Sequence, residues 1–343
     1  MDERTPRKAA RGHGRSEAAR RFAVARLAGT GAPCLSPHFP SCNLPSPRFP
    51  PRVSCRDPRS SYVRPAAPLV RGEFVDVGDA RLYYYASGTR GGGEPIVFVH
   101  GFPTSSHLWS GVVPLVPKGH RVVVLDLLGF GRSDPPAAGA DLSVRAHADR
   151  VVALLDRLGI NYATIVGHDL GGGVAQSLAI RHPTRVARLC LINSVAFDAW
   201  PGREVRLVRA TMPLTRHLPA TWILSVLRAD LLRGYVVSER GAHSIDQFVR
   251  PFTSESGRDV LVAHLSALDS SETQALEPRL KDIVAPTSIV WGAEDPFLPR
   301  ELAQRLADSI PGAALDVVPD VRHFTPEEAP ERITHALTQL LSR

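Results

Sequence analysis

The chain has 343 residues, 43% of them hydrophobic, and a formal net charge of +7. That length suits one large domain or two modest ones, and no apolar run reaches the 18 residues a spanning helix needs. The charge is uneven: residues 1–70 hold 13 Lys+Arg against four Asp+Glu, and the remainder holds 28 against 30. The nearly neutral remainder argues against a basic groove for phosphates, so nucleic acid is not expected as a partner, and the lack of a spanning run leaves no membrane partner expected either.

Residues 1–70 are rich in proline and arginine and lack any sustained 3.6- or 2.0-residue periodicity. They read as a disordered extension, or as residues ahead of a later start codon. A targeting segment is the weaker third reading, because no amphipathic helix is visible beyond residues 16–27. Three of the four cysteines lie in this extension, and only Cys190 falls in an apolar strand of the core. No disulfide framework is expected, and a reducing, cytoplasmic setting fits.

From residue 71 onward the pattern changes. Residues 73–77 and 81–85 read as a hairpin around Gly78-Asp79. Strands at 96–99, 122–125, 164–166 and 189–192 then alternate with helices at 106–116, 144–158 and 171–181. After an interruption, strands at 288–291 and 315–318 alternate with helices at 301–309 and 331–341. Such alternation implies an α/β fold, a mostly parallel sheet with helices on both faces. The interruption, residues 195–285, spaces its apolar residues as helices do (Ile223, Leu224, Val226, Leu227; Val260, Leu261, Leu265). It is expected to be a helical cap, dividing the core into 71–194 and 286–343 and overhanging the carboxyl ends of the strands.

The most informative segment is Gly167-His168-Asp169-Leu170-Gly171. It has the form of a nucleophile elbow, a sharp strand-to-helix turn whose glycines make room for neighbouring backbone. An aspartate stands at its apex, and no serine lies between Ile165 and Gln176. A serine needs a base before it can attack, whereas a carboxylate is already anionic at neutral pH and is suited to displacement at an sp3 carbon.

Three further segments stand in register with the elbow: His100-Gly101-Phe102-Pro103, Trp291-Gly292-Ala293-Glu294-Asp295-Pro296 and Val321-Arg322-His323-Phe324. Together the four resemble an α/β-hydrolase of the aspartate-nucleophile type, over roughly residues 72–343. The resemblance implies Asp169 as nucleophile, His323 as general base for water and Asp295 as the acid orienting His323. Glu294 and Asp198 are the rival acids. The backbone N–H groups of Phe102 and Leu170 are the implied oxyanion hole. No HExxH, paired CxxC or Walker sequence occurs, so no cofactor or metal is implied; substrate and water are the expected partners.

Aspartate-type members resemble epoxide hydrolases or haloalkane dehalogenases. The His-Gly-x-Pro segment favours an epoxide hydrolase-like enzyme acting on a small apolar substrate through an alkyl-aspartyl ester. Leu170, directly after the nucleophile, lacks the indole N–H with which dehalogenases hold halide, so dehalogenation is the runner-up. Ester or lactone hydrolysis, and a hydrolase-fold receptor with little turnover, complete the alternatives. Candidates to meet substrate or leaving group are Tyr235, the only phenol in the cap, then Trp222, His168 and His100, with His217 and His243 behind them.

Overall fold

A computed structural model describes residues 72–88, 92–215 and 217–343; the extension read from residues 1–70 lies outside them. The strands are β1 (Glu73–Asp76), β2 (Arg81–Ser87), β3 (Gly93–Val99), β4 (His120–Leu125), β5 (Ala163–Asp169), β6 (Val186–Ser194), β7 (Thr287–Gly292) and β8 (Ala314–Val318). They form one eight-stranded sheet in the order β1-β2-β4-β3-β5-β6-β7-β8. Pairings β1–β2 and β2–β4 are antiparallel, and every later pairing is parallel.

The residue types explain the layering. The strands β5, β6 and β7 each carry an apolar centre (Ile165-Val166, Leu189–Ile192, Ile289–Trp291) and nearly every residue in them is buried, the pattern of strands covered on both faces. The covering helices are α1 (Val144–Arg157) and α2 (Leu170–Arg181), then α3 (Arg203–Thr215), α4 (Ala220–Leu232), α5 (Ser238–Val249), α6 (Glu255–Ala267) and α7 (Ser271–Leu276), and last α8 (Glu301–Ser309), α9 (Thr325–Glu328) and α10 (Pro330–Leu341). Helix α2 packs on β5 and β6, and α10 on β6 and β7. All of α3 to α7 fall between β6 and β7. No helix among the described residues is long and apolar enough to cross a membrane.

One expected helix is not an α-helix. Residues 106–116 form two short 3-10 turns, Ser106–Trp109 and Val113–Leu115. Gly111 lies between them and Pro114 opens the second, so no continuous i to i−4 ladder is built.

The sheet order reverses direction between β3 and β5: from β3 the chain moves outward to β4, then returns to the other side of β3 for β5. Loops leaving the carboxyl ends of β3 and β5 therefore diverge, which leaves a crevice there. Because β3, β5, β6, β7 and β8 run parallel, the segments following each of them gather at that same end.

Candidate active site

Asp169 closes β5 with φ 51° and ψ −120°, a left-handed conformation that a non-glycine residue enters only under constraint. The constraint is the tight passage from β5 into α2. A Cβ on Gly171 would collide with the carbonyls of Val99 and His100, and one on Gly101 would meet the Asp169 side chain itself. Both positions must be glycine for the carboxylate to sit where it does.

The carboxylate is held by backbone. Phe102 N–H donates to Asp169 Oδ1 at 2.9 Å, and the Leu170 N–H also bonds the group. The loop carrying Phe102 is braced by His100, whose tautomer is fixed by its partners. Leu127 N–H donates to Nε2 at 2.9 Å, so the proton sits on Nδ1, which is 2.9 Å from the Gly101 carbonyl. The Phe102–Pro103 peptide is cis.

His323 lies after β8. Its Nε2 is 3.8 Å from Asp169 Oδ2 and its Nδ1 is 2.8 Å from Asp295 Oδ2, on the loop after β7. Asp295 is fully enclosed and fully bonded: Asn193 Nδ2 donates to Oδ2 at 2.7 Å, and the N–H groups of Phe297 and Leu298 donate to Oδ1 at 2.8 and 3.1 Å. Asn193 was not among the sequence candidates. It sits near the end of β6 at φ 39°, and its Oδ1 also receives Thr325 Oγ1 at 2.7 Å, tying three loops together. An asparagine at a strand end, one of the few residues that tolerate a left-handed conformation, is the signal that points to it.

Burial raises the Asp169 carboxyl above its ordinary range, against the pull of His323 and the two N–H groups. For His323 burial opposes the charge, but Asp295 and then Asp169 outweigh it, and the imidazole is raised. A desolvated carboxylate beside a readily charged imidazole is thus the resting arrangement.

The other candidates separate cleanly. Asp198 is exposed and pairs with Arg305 at 3.6 Å, and Glu294 is exposed and 3.9 Å from Arg322; neither reaches His323, which is already bonded to Asp295. His168 is buried behind the site with Nε2 3.0 Å from the His323 carbonyl. Burial holds it neutral, so it supports the His323 backbone and faces no substrate. His100 braces the Phe102 loop as described. Tyr235 requires correction as a donor: it is buried, stacks on Phe324, and its hydroxyl donates to Glu327 Oε2 at 2.9 Å, outside the cavity lining. The α4–α5 loop turns its ring toward α9 and away from Asp169. His243 faces His107 at 6.2 Å between ring centroids, and neither it nor His217 lines the cavity. Trp222 does line it, at the mouth.

The cavity of about 450 Å³ over Asp169 and His323 is walled by α3, α4, α6 and the Phe297 loop, with Val208, Met212, Ile223, Leu231, Leu261 and Leu265 among the lining side chains. No lysine, arginine or tyrosine occurs among the described lining residues; besides Asp169 and His323 the only charged one is Asp230. The Trp200 indole N–H is committed to Thr273 Oγ1 at 2.7 Å, and Thr211 Oγ1 is within 3.1 Å of the carbonyls of Leu207 and Val208.

This sheet order, with an elbow on its central strand and a histidine after its last, is the architecture of a hydrolase. The family model for the alpha/beta hydrolase fold matches residues 94–330, and the chain belongs to that family. It is similar to a 2-hydroxy-6-oxononadienedioate/2-hydroxy-6-oxononatrienedioate hydrolase of Paraburkholderia xenovorans, 27% identical, covering 77% of this chain and 92% of that one. It is likewise similar to a cis-3-alkyl-4-alkyloxetan-2-one decarboxylase of Shewanella oneidensis, 29% identical over 76% and 86% of the two chains. Among solved structures, an enzyme described as degrading N-acyl homoserine lactones superposes with a TM-score of 0.63 at 30% identity, covering 78% of this chain and 99% of that one.

Proposed function

We propose that the protein opens an uncharged, apolar substrate by attack of Asp169 at an sp3 carbon, giving an alkyl-aspartyl ester that His323-activated water hydrolyses. The observation carrying this is the Asp169 carboxylate at the elbow, one oxygen held by the Phe102 N–H and the other facing His323 at 3.8 Å. Ser194, beside the elbow, is buried and hydrogen-bonded to Gln176 and the Val195 carbonyl. Attack on carbon forms the Asp169 O–C bond and expels the leaving group. Water then adds to the Asp169 carboxyl carbon as His323 takes its proton. The resulting oxyanion lies on the N–H groups of Phe102 and Leu170 until the alcohol departs. In this reading α3 to α7 act as the cap that excludes bulk water.

The leaving group follows from what the cavity lacks. In-line displacement puts it on the far side of carbon from Asp169, among apolar side chains. An epoxide oxygen leaves as an alkoxide and needs a proton donor there, and a halide needs N–H donors; no phenol or free indole stands deep in the described lining. A carboxylate expelled from a strained cyclic ester needs neither. We therefore favour a lactone bearing alkyl groups over the epoxide and haloalkane readings, a choice the names of two relatives support. The same walls disfavour dianionic substrates such as the dioate of the Paraburkholderia relative's name, because no cation is there to pair them.

The test is to mix His323→Gln with a dialkyl β-lactone, an epoxide and a bromoalkane of matched chain length. The lactone should add its full mass to the peptide bearing Asp169, because ester formation does not need the base. In ¹⁸O water, a single wild-type turnover should leave label in that peptide. Absence of both adduct and peptide label refutes the aspartyl ester; adduct from the epoxide but not the lactone refutes the leaving-group choice alone.

A further inference from the structure

The cavity opens through an apolar ridge. Leu218, Trp222 and Val226 line it and yet are 40%, 69% and 65% exposed. Trp222 and Val226 are four residues apart on α4 and so share a face, and Leu218 lies in the turn that leads into it. On α3, Leu207 is 67% exposed without lining the cavity. Large apolar side chains gathered around a pocket mouth mark a surface that meets an apolar partner.

Charge selects the partner. Residues 203–217 contain Arg203, Arg206, Arg209 and Arg216 against one acid, Glu204. Arg203 and Arg206 are exposed, and Arg203 stands one turn before Leu207. Residues 1–70, with 13 Lys+Arg against four Asp+Glu, have the same sign, so like charge disfavours their covering this face, and a second copy meets the same repulsion.

We propose that the α3–α4 ridge docks on an anionic lipid surface. Leu207, Leu218, Trp222 and Val226 enter the headgroup–acyl boundary and Arg203 and Arg206 meet lipid phosphates, with the cavity mouth facing the bilayer. An aromatic with an apolar body and a polar N–H is suited to that boundary. The expectation of no membrane partner came from the lack of a spanning run, which does not bear on a helix lying in the interface. Docking is independent of which bond the site breaks; it supplies an apolar substrate from lipid.

Trp222 reports directly, since Trp109, Trp200 and Trp291 are buried. Full-length protein should co-sediment with phosphatidylglycerol-containing vesicles, with a blue-shifted Trp222 emission, and far less with phosphatidylcholine alone or at high salt. The Arg203→Glu/Arg206→Glu/Leu207→Asp variant should bind those vesicles at least about a hundredfold more weakly. None of its three sites lines the cavity, so turnover of a short, water-soluble substrate should not change. Wild type that stays in the supernatant overturns the proposal. So does sedimentation without a change in Trp222 emission, or a folded variant that binds as tightly, which would assign binding to another basic segment.

Discussion

Replacing Asp295 with asparagine changes one atom and little volume, yet every acceptor position on this carboxylate is occupied. Oδ2 receives His323 Nδ1 and Asn193 Nδ2, and Oδ1 receives the N–H groups of Phe297 and Leu298. An asparagine NH2 must face one of these donor pairs. Turned toward Phe297 and Leu298, it loses two hydrogen bonds and strands two buried donors, at roughly 1–3 kcal/mol each. Turned toward His323, it forces the imidazole proton onto Nε2, so that Nδ1 can accept. The Nε2 that faces Asp169 at 3.8 Å then carries a proton and cannot take one from water. The expected loss in turnover is about 10⁴-fold, near 5.5 kcal/mol of barrier. Ester formation, which needs no base, should survive. Stopped-flow mixing of Asp295→Asn with the favoured lactone should show one fast equivalent followed by very slow turnover, intact mass should show the adduct, and the melting temperature should fall by several degrees. Turnover within tenfold of wild type, or a burst lost in parallel with turnover, refutes the assignment of Asp295.

Other outcomes follow from groups away from the reacting atoms. Tyr235→Phe should leave turnover within about threefold, because its hydroxyl bonds Glu327 and not substrate, while costing about 1 kcal/mol of stability measurable by denaturant melts. Glu327 is pushed up to about 7, chiefly by burial. Its folded pKa exceeds the unfolded value, so its contribution is fully present below about 4.5 and is lost as pH rises through 7. Glu327→Gln should therefore lose less stability than wild type as pH rises from about 4.5 to about 7, and equal slopes would refute this. His264 is pushed down to about 3 by burial, so its contribution is present above 6.5 and fades as pH falls toward 3. His264→Gln should flatten the acid limb of a melting-temperature profile relative to wild type.

The parts of the site that backbone geometry dictates were legible in the sequence. The elbow was, because Gly167 and Gly171 are forced by backbone approach, and Asp169 between them has no serine competitor. The sheet was, because short continuous apolar runs such as Leu189–Ile192, alternating with helical segments, fit strands covered on both sides. One helix over 106–116 passes over Gly111 and Pro114, and the backbone follows those breakers. Tyr235 was chosen because it is the one phenol in 195–285, yet its direction depends on how the α4–α5 loop packs on Phe324 and Glu327. No local pattern encodes that tertiary choice. Asn193 escaped for a related reason: its role exists only once β6, the Asp295 loop and Thr325 converge.

In the proposed reaction the charges of the three central groups set the order of events without a further acid. At rest the His323 imidazole lies between two carboxylates, Asp295 at 2.8 Å and Asp169 at 3.8 Å, and its affinity for a proton is raised against burial. The proposed alkylation of Asp169 would remove one of those negative charges. The imidazole then keeps a single anionic partner inside a cavity walled largely by apolar side chains, where each lost charge counts for more than in water. Its pKa must fall, so a histidine that favoured the proton before attack becomes a competent base after it. The carboxylate expelled from a lactone stays tethered to Asp169 through the alkyl chain, so the product leaves only after water has cleaved the ester. The hydrolytic step regenerates the Asp169 anion, and with it the attraction that recharges His323.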